Sequence, residues 1–167
     1  MTLDPLLDEL RQLTAHARNW RTETGIPRVA MVQGDVPAHA LAAVYEPMVN
    51  LILRGSKSMT VGDRIFSYDP ASYFVMSVDL PAVGDVHPDA SGAPYLAVSL
   101  TLTPERIATL LADLPPPRAD SQSGAFSVAA VTPELLDAWV RMLRLMKRLK
   151  TSPRSHRCMS GKSFITF

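Results

Sequence analysis

The sequence predicts a mainly β chain flanked by helices, and two observations carry that expectation. Between Tyr45 and Pro81 at least three short runs of strand-forming residues follow one another, separated by residues suited to tight turns. Before and after the β-rich part, apolar residues recur at helical spacing. Short strands with regular turns argue for a closed or double-layered antiparallel sheet.

In chain order, Asp4-Pro5 opens a helix, with Asp4 as its cap and Pro5 in the first helical position. Leu6, Leu10, Leu13, Ala17 and Trp20 share one face of it, and Gly25 and Pro27 end it. Val29 to Gln33 reads as a strand, and Gly34 to Ala42 as a loop. Val49 to Leu53 is a short apolar strand. Ser58 to Val61 and Arg64 to Tyr68 flank Gly62-Asp63, a pair suited to a two-residue hairpin turn. Asp69-Pro70 starts another turn, and Ser72 to Val78 is rich in aromatic and β-branched residues. Ala82 to Val86 reads as a strand, and His87 to Pro94 as a surface turn. Tyr95 to Thr101 sets Leu96, Val98 and Leu100 against Tyr95, Ala97 and Ser99, as a strand does. Thr103-Pro104 caps a helix carrying Ile107, Leu110, Leu111 and Leu114, which Pro115-Pro116-Pro117 terminates. Ala119 to Gly124 is a polar loop, and Phe126 to Val131 a last strand.

Thr132-Pro133 caps the most unusual helix. Its polar stripe is narrow: Glu134, Asp137, Arg141, Arg144 and Arg148. Acids at its start and bases at its end suit the helix dipole. Nearly everything else is apolar, whereas a surface helix needs an apolar stripe of only ~100°. The excess predicts two buried sides, one against the barrel and one against a partner, either a second copy or a missing domain. Leu136, Trp139, Leu143 and Met146 are the candidate dimerisation residues.

Five short motifs stand in order: Tyr45-Glu46-Pro47, Leu53-Arg54-Gly55-Ser56-Lys57, Val61-Gly62-Asp63-Arg64, Tyr68-Asp69-Pro70 and Ser77-Val78-Asp79-Leu80-Pro81. Together they resemble the N-terminal domain of AraC-type bacterial transcription regulators, and the likeness extends loosely from Leu6 to Lys147. The resemblance implies a cupin-like (double-stranded β-helix) barrel with a C-terminal helical region. It also implies that the barrel senses a small-molecule effector and that the domain helps form a homodimer.

Composition bounds the alternatives. At 167 residues, 47% hydrophobic and 20% charged, the chain suits one domain with a sizeable core. No apolar run approaches the ~20 residues needed to span a bilayer, so no membrane role is expected. The single cysteine, Cys158, cannot form an internal disulfide, which fits a reducing cytoplasm. Lys150, Arg154, Arg157 and Lys162 hold 4 of the 17 basic residues, and all 16 acidic ones lie at or before Asp137. Residues 1–149 therefore carry a net charge of −3. An acidic body is a poor partner for phosphate backbones, so DNA contact is expected only through a separate C-terminal domain.

Residues 150–167, KTSPRSHRCMSGKSFITF, differ in character: they contain no acid and no helical periodicity. In the family the corresponding stretch resembles EDIPALAPMYEREILYHLL. Codons can be chosen for that string which, with the first base deleted, spell this tail and then a stop. The expectation is therefore a sensing domain over 1–149, then an out-of-frame tail, with the helix-turn-helix domain absent.

The chemistry of an enzyme is not apparent. Metal-dependent cupins converge a His-x-His pair, a Glu and a further His on one point. Here His16, His39, His87 and His156 are unpaired in sequence. No Ser-His-Asp arrangement has local support. Gly161-Lys162-Ser163 lacks the upstream glycine and strand of a phosphate loop. No catalytic residue, metal or cofactor is expected. The leading reading is a sensing and dimerisation module, and the alternative is a stand-alone metal-dependent isomerase or dioxygenase. Tyr45, Glu46, Tyr73, Ser77 and Asp79 are the candidate ligand-binding residues, mixing aromatic walls with a few polar groups.

Overall fold

The computed structural model describes residues 3–34, 41–70, 72–112 and 125–151. Helix α1 (Leu3–Leu13) precedes strands β1 (Trp20–Glu23), β2 (Val29–Gly34), β3 (Leu41–Tyr45), β4 (Met48–Arg54) and β5 (Ser56–Val61). Strands β6 (Arg64–Tyr68), β7 (Ser72–Met76), β8 (Leu80–His87) and β9 (Tyr95–Thr101) follow. Helix α2 (Pro104–Ala112), strand β10 (Phe126–Ala130) and helix α3 (Pro133–Thr151) complete the order. The expected terminator Pro115-Pro116-Pro117, the loop Ala119 to Gly124 and tail residues 152–167 lie outside the described residues.

Two antiparallel sheets face each other. One has the order β1-β2-β9-β4-β7-β10, the other β3-β8-β5-β6. This is the mainly β, flanked-by-helices architecture that the turn spacing predicts. Gly62 adopts φ 57° in the two-residue turn joining β5 to β6, where Val61 faces Arg64. That conformation costs a glycine little, which is why the Gly-Asp pair marks the hairpin.

The strands of the larger sheet divide their side chains by period two. Val29, Met31, Leu51, Leu53, Leu96 and Val98 join one apolar cluster with α1 and α3. Ile52, Phe74, Met76, Tyr95 and Ala97 join another, between the sheets, with Met59 and Tyr68. Both faces are thus covered, so β9 is buried on both sides along most of its length despite being antiparallel. Each fully buried aliphatic side chain contributes about 1.5–3 kcal/mol before entropy is counted.

Helix α1 is shorter than its apolar spacing predicts. Leu6, Leu7, Leu10 and Leu13 are buried, but the helix ends at Leu13. The Thr14 hydroxyl donates to the Leu10 carbonyl at 2.8 Å, taking up the acceptor of the last turn. Trp20 is not on the helix at all: it opens β1 with φ 62° and is 44% exposed. Pairing with β2, which sequence periodicity cannot register, holds that segment extended. Strand β3 likewise begins within the stretch expected to be loop.

The assignment of α3's apolar excess requires a correction. Leu136, Trp139, Leu143 and Met146 are all buried, Leu143 completely, in the same cluster as α1 and the outer face of the larger sheet. The helix does bury two sides, and α1 of the same chain covers the second. Arg144 donates to both carboxylate oxygens of Glu9 across this junction, at 2.7 and 2.9 Å. The Arg11 guanidinium donates to the Leu53 carbonyl at 2.7 Å and ties α1 to the end of β4.

Candidate functional site

The period-two alternation that sends Leu96 and Val98 toward the helices sends Tyr95 and Ser99 the other way. Asn50 on β4 lies directly opposite Ser99, so the two face the barrel interior together. With Tyr45 from β3, Lys57 from β5, Gly84 and Val86 from β8, and Val32 from β2, they enclose a cavity of about 250 Å³. Met48 adds a flexible apolar wall, and Trp20 and Arg21 of the edge strand complete the lining.

Gly84 leaves room for the polar groups. A Cβ built there would stand 2.5 Å from the Tyr45 hydroxyl oxygen and 3.1 Å from Lys57 Cε. Any larger residue would displace one or both. Lys57 Nζ lies 4.9 Å from the centroid of the Tyr45 ring and 5.7 Å from that of Phe74. Both distances suit attraction of a cation to an aromatic face. Among the described residues no carboxylate lies within 4.0 Å of this ammonium. Loss of hydration pushes its pKa down from 10.5 to about 8. The residue as a whole is only half-buried, because part of its surface borders the cavity itself.

Tyr45 and Tyr95 line the cavity with it, and a third phenol belongs to the same cluster. Tyr68 stands directly across from Lys57 in the β5–β6 pair, and its hydroxyl is buried with no hydrogen-bond partner among the described residues. The Tyr95 hydroxyl reaches Asn50 Oδ1 only at 3.4 Å. Burial raises the pKa of Tyr45, Tyr68 and Tyr95 above the ordinary phenol value; Asp85 raises Tyr45 further, Tyr95 and Tyr45 raise Tyr68, and Tyr45 raises Tyr95. All three therefore stay protonated and can donate. Phe66, Phe74 and Phe126 pack below them, with ring centroids 4.6 and 5.3 Å apart along the series Phe66–Phe126–Phe74.

Of the five sequence candidates, the structure places Tyr45 on this cavity. Glu46 and Asp79 line a separate surface cleft with Pro47 and Pro104. Tyr73 packs on the opposite face of β7, against the helix-side cluster. The Ser77 amide donates to the Ala125 carbonyl at 3.1 Å, beyond the end of β7. These four are not brought to the cavity. Lys57, Asn50, Tyr95 and Ser99 are the residues sequence reasoning missed. The split of Tyr95 and Ser99 from Leu96 and Val98 was the available signal for two of them.

The match to the AraC-type transcriptional regulator N-terminus runs over residues 25–158. The chain belongs to that family. Its fold is similar to that of ToxT from Vibrio cholerae. Against apo ToxT K231A of strain SCE256 the TM-score is 0.54 at 8% identity, covering 77% of this chain and 49% of that one. Against unsaturated fatty acid-bound wild-type ToxT of the same strain it is 0.53 at 10% identity, covering 75% and 47%. ToxT of strain O395 bound to (E)-4-(8-methylnaphthalen-1-yl)but-3-enoic acid gives 0.52 at 9% identity, covering 75% and 49%. The chain thus spans about half the length of these ToxT chains. No curated protein matches it significantly. In this AraC-type domain, among the described residues, no helix is long and apolar enough to cross a membrane.

Proposed function

We propose that this AraC-type domain is the sensing half of a cytoplasmic, non-enzymatic transcription regulator, and that its effector binds between the two sheets. The single observation that carries the reading is a cavity lined by both apolar walls and a few convergent polar groups, inside a domain of a regulator family. Structures of ToxT, which has the same fold, are described with an unsaturated fatty acid and with a naphthalene-bearing butenoic acid. Small-molecule sensing is therefore compatible with this architecture.

The strands offer a route from cavity to helices. On β4, Asn50 faces the cavity while Leu51 and Leu53 face α1 and α3. On β9, Tyr95 and Ser99 alternate with Leu96 and Val98 in the same way. A ligand that favours one arrangement of these strands biases how the helices sit. The homodimer surface, on this reading, uses residues other than the buried four of α3. Leu145, 44% exposed, lies on the helix's free side.

The test is an unbiased fragment screen on the whole chain, read by carbon-13 methionine methyl signals. Met48 reports the cavity, while Met31 and Met146 report the helix side of the sheet. Hits should move Met48 first, and the best of them Met31 or Met146 as well. A screen whose hits leave Met48 unmoved would refute the reading. Stoichiometric iron, zinc or manganese in purified protein would favour the metal-dependent enzyme instead.

A further inference from the structure

Resting on that sensing reading, we infer that the effector is a small monoanionic acid, a carboxylate with a compact apolar body, whose charged end pairs with Lys57 beside the hydroxyls of Tyr45 and Tyr95, which line the same cavity. A buried ammonium is costly unless it is paired. The described part of the protein supplies aromatic faces but no carboxylate within 4.0 Å, so the ligand is what completes the pair. The Tyr68 hydroxyl, buried and without a partner, is a second unmet demand in the same cluster. Carboxylate oxygens accept from an ammonium and from phenols alike, and such charge-assisted hydrogen bonds are the strong ones.

The charge count argues for one negative charge. Among the described residues, Lys57 is the only cation set over the aromatic rings of Tyr45 and Phe74. Arg21, also on the lining, is committed to Glu23 at 2.8 Å and is exposed. A phosphate dianion would bring charge that these groups do not balance. Because the Lys57 pKa stays at about 8, the amine is mostly protonated at neutral pH. Size argues the same way. A cavity of about 250 Å³ lies just below the ~300–1,000 Å³ of drug-sized ligands. Val32, Met48 and Val86 give the body of the ligand an apolar wall.

The test uses the full chain with labelled methionine methyls. The probes are benzoate, phenylacetate, butyrate, hexanoate and octanoate, each against its own primary amide. At least one acid should move the Met48 signal, and its amide should bind at least ~10-fold more weakly. Lys57→Met should weaken the acid by roughly ten- to a hundredfold and leave the amide unchanged. Unshifted Met31 and Met146 signals would verify that this variant keeps its fold. Should it not fold, Tyr45→Phe keeps the ring, removes a hydroxyl on the cavity and should weaken the acid several-fold and the amide less. An amide equal to its acid, or an acid indifferent to both variants, overturns the anion assignment and leaves the cavity a site for neutral molecules. No Met48 response to any of the ten probes also overturns it. The sensing reading itself then survives only if the unbiased screen yields a neutral ligand at Met48.

Discussion

Lys57→Met should make the protein more stable at neutral pH. The depression of the lysine pKa from 10.5 to about 8 is a stability cost. At about 1.36 kcal/mol per unit, holding the desolvated ammonium costs roughly 3 kcal/mol below pH 8. Two cation–π contacts, each worth about 0.5–2 kcal/mol, offset part of it. Methionine fills the same channel without the charge, so the expected net gain is about 1–3 kcal/mol. For a chain of 167 residues each kcal/mol moves the melting temperature by ~2–4 °C, so a rise of several degrees is expected. The sign with pH follows from the depressed value. Between about pH 8 and 10 the unfolded chain binds more protons than the folded one, so wild-type stability rises with pH in that window. The titratable groups packed with Lys57 in this part of the core are the phenols of Tyr45 on β3, Tyr68 on β6 and Tyr95 on β9. Their raised pKa values keep them neutral in the fold throughout. Asp85 on β8 adds to the upward shift of Tyr45. Urea melts of both proteins at pH 7 and at pH 9.5 measure this directly. A variant less stable than wild type at pH 7, with wild-type stability flat between the two pH values, would mean that the ammonium is not desolvated.

Three further outcomes follow from the same packing. Gly84→Val should fill the space held by the Tyr45 hydroxyl and Lys57 Cε, at a cost of about 1–3 kcal/mol in a denaturant melt, and should abolish ligand shifts at Met48. Leu143→Asp should unfold the protein rather than release a folded monomer, because Leu143 is fully buried against the chain's own core. A folded monomer by circular dichroism and light scattering would restore the dimer reading of that face. The out-of-frame reading of residues 150–167 predicts that the coding DNA, read in the adjacent frame from Lys150, encodes an acid-containing helical sequence like that of the family; an adjacent frame rich in stops would dismiss it.

How much was legible in the sequence depended on whether the signal was local. The hairpin at Gly62-Asp63, the caps at Thr103 and Thr132 and the strand Tyr95 to Thr101 rest on turn chemistry and periodicity, and all stand where expected. Trp20 failed because helical spacing continued by chance past Thr14, while the competing pull came from β2, a distant segment. The second partner of α3 failed for a related reason. An apolar excess says that a face is covered but not by what, and α1 lies more than a hundred residues away in the chain. The candidate site was the least legible. Which side of a strand faces the interior is set by register, and a shift of one residue exchanges the faces. Tyr73 and Phe74 are neighbours in sequence, yet they belong to opposite clusters. Lys57 was absorbed into a turn motif because a strand interior rarely holds an unpaired lysine, and that rarity is what marks it in the structure.

The central claim, that the space between the sheets is the effector site, is tested most directly by a crystal structure of the full chain with the strongest-binding acid of the probe series. The account predicts the ligand between the sheets, its carboxylate within hydrogen-bond distance of Lys57 Nζ and of the Tyr45 or Tyr95 hydroxyl. A ligand bound instead in the surface cleft beside Glu46 and Asp79, with the interior cavity empty, would contradict it.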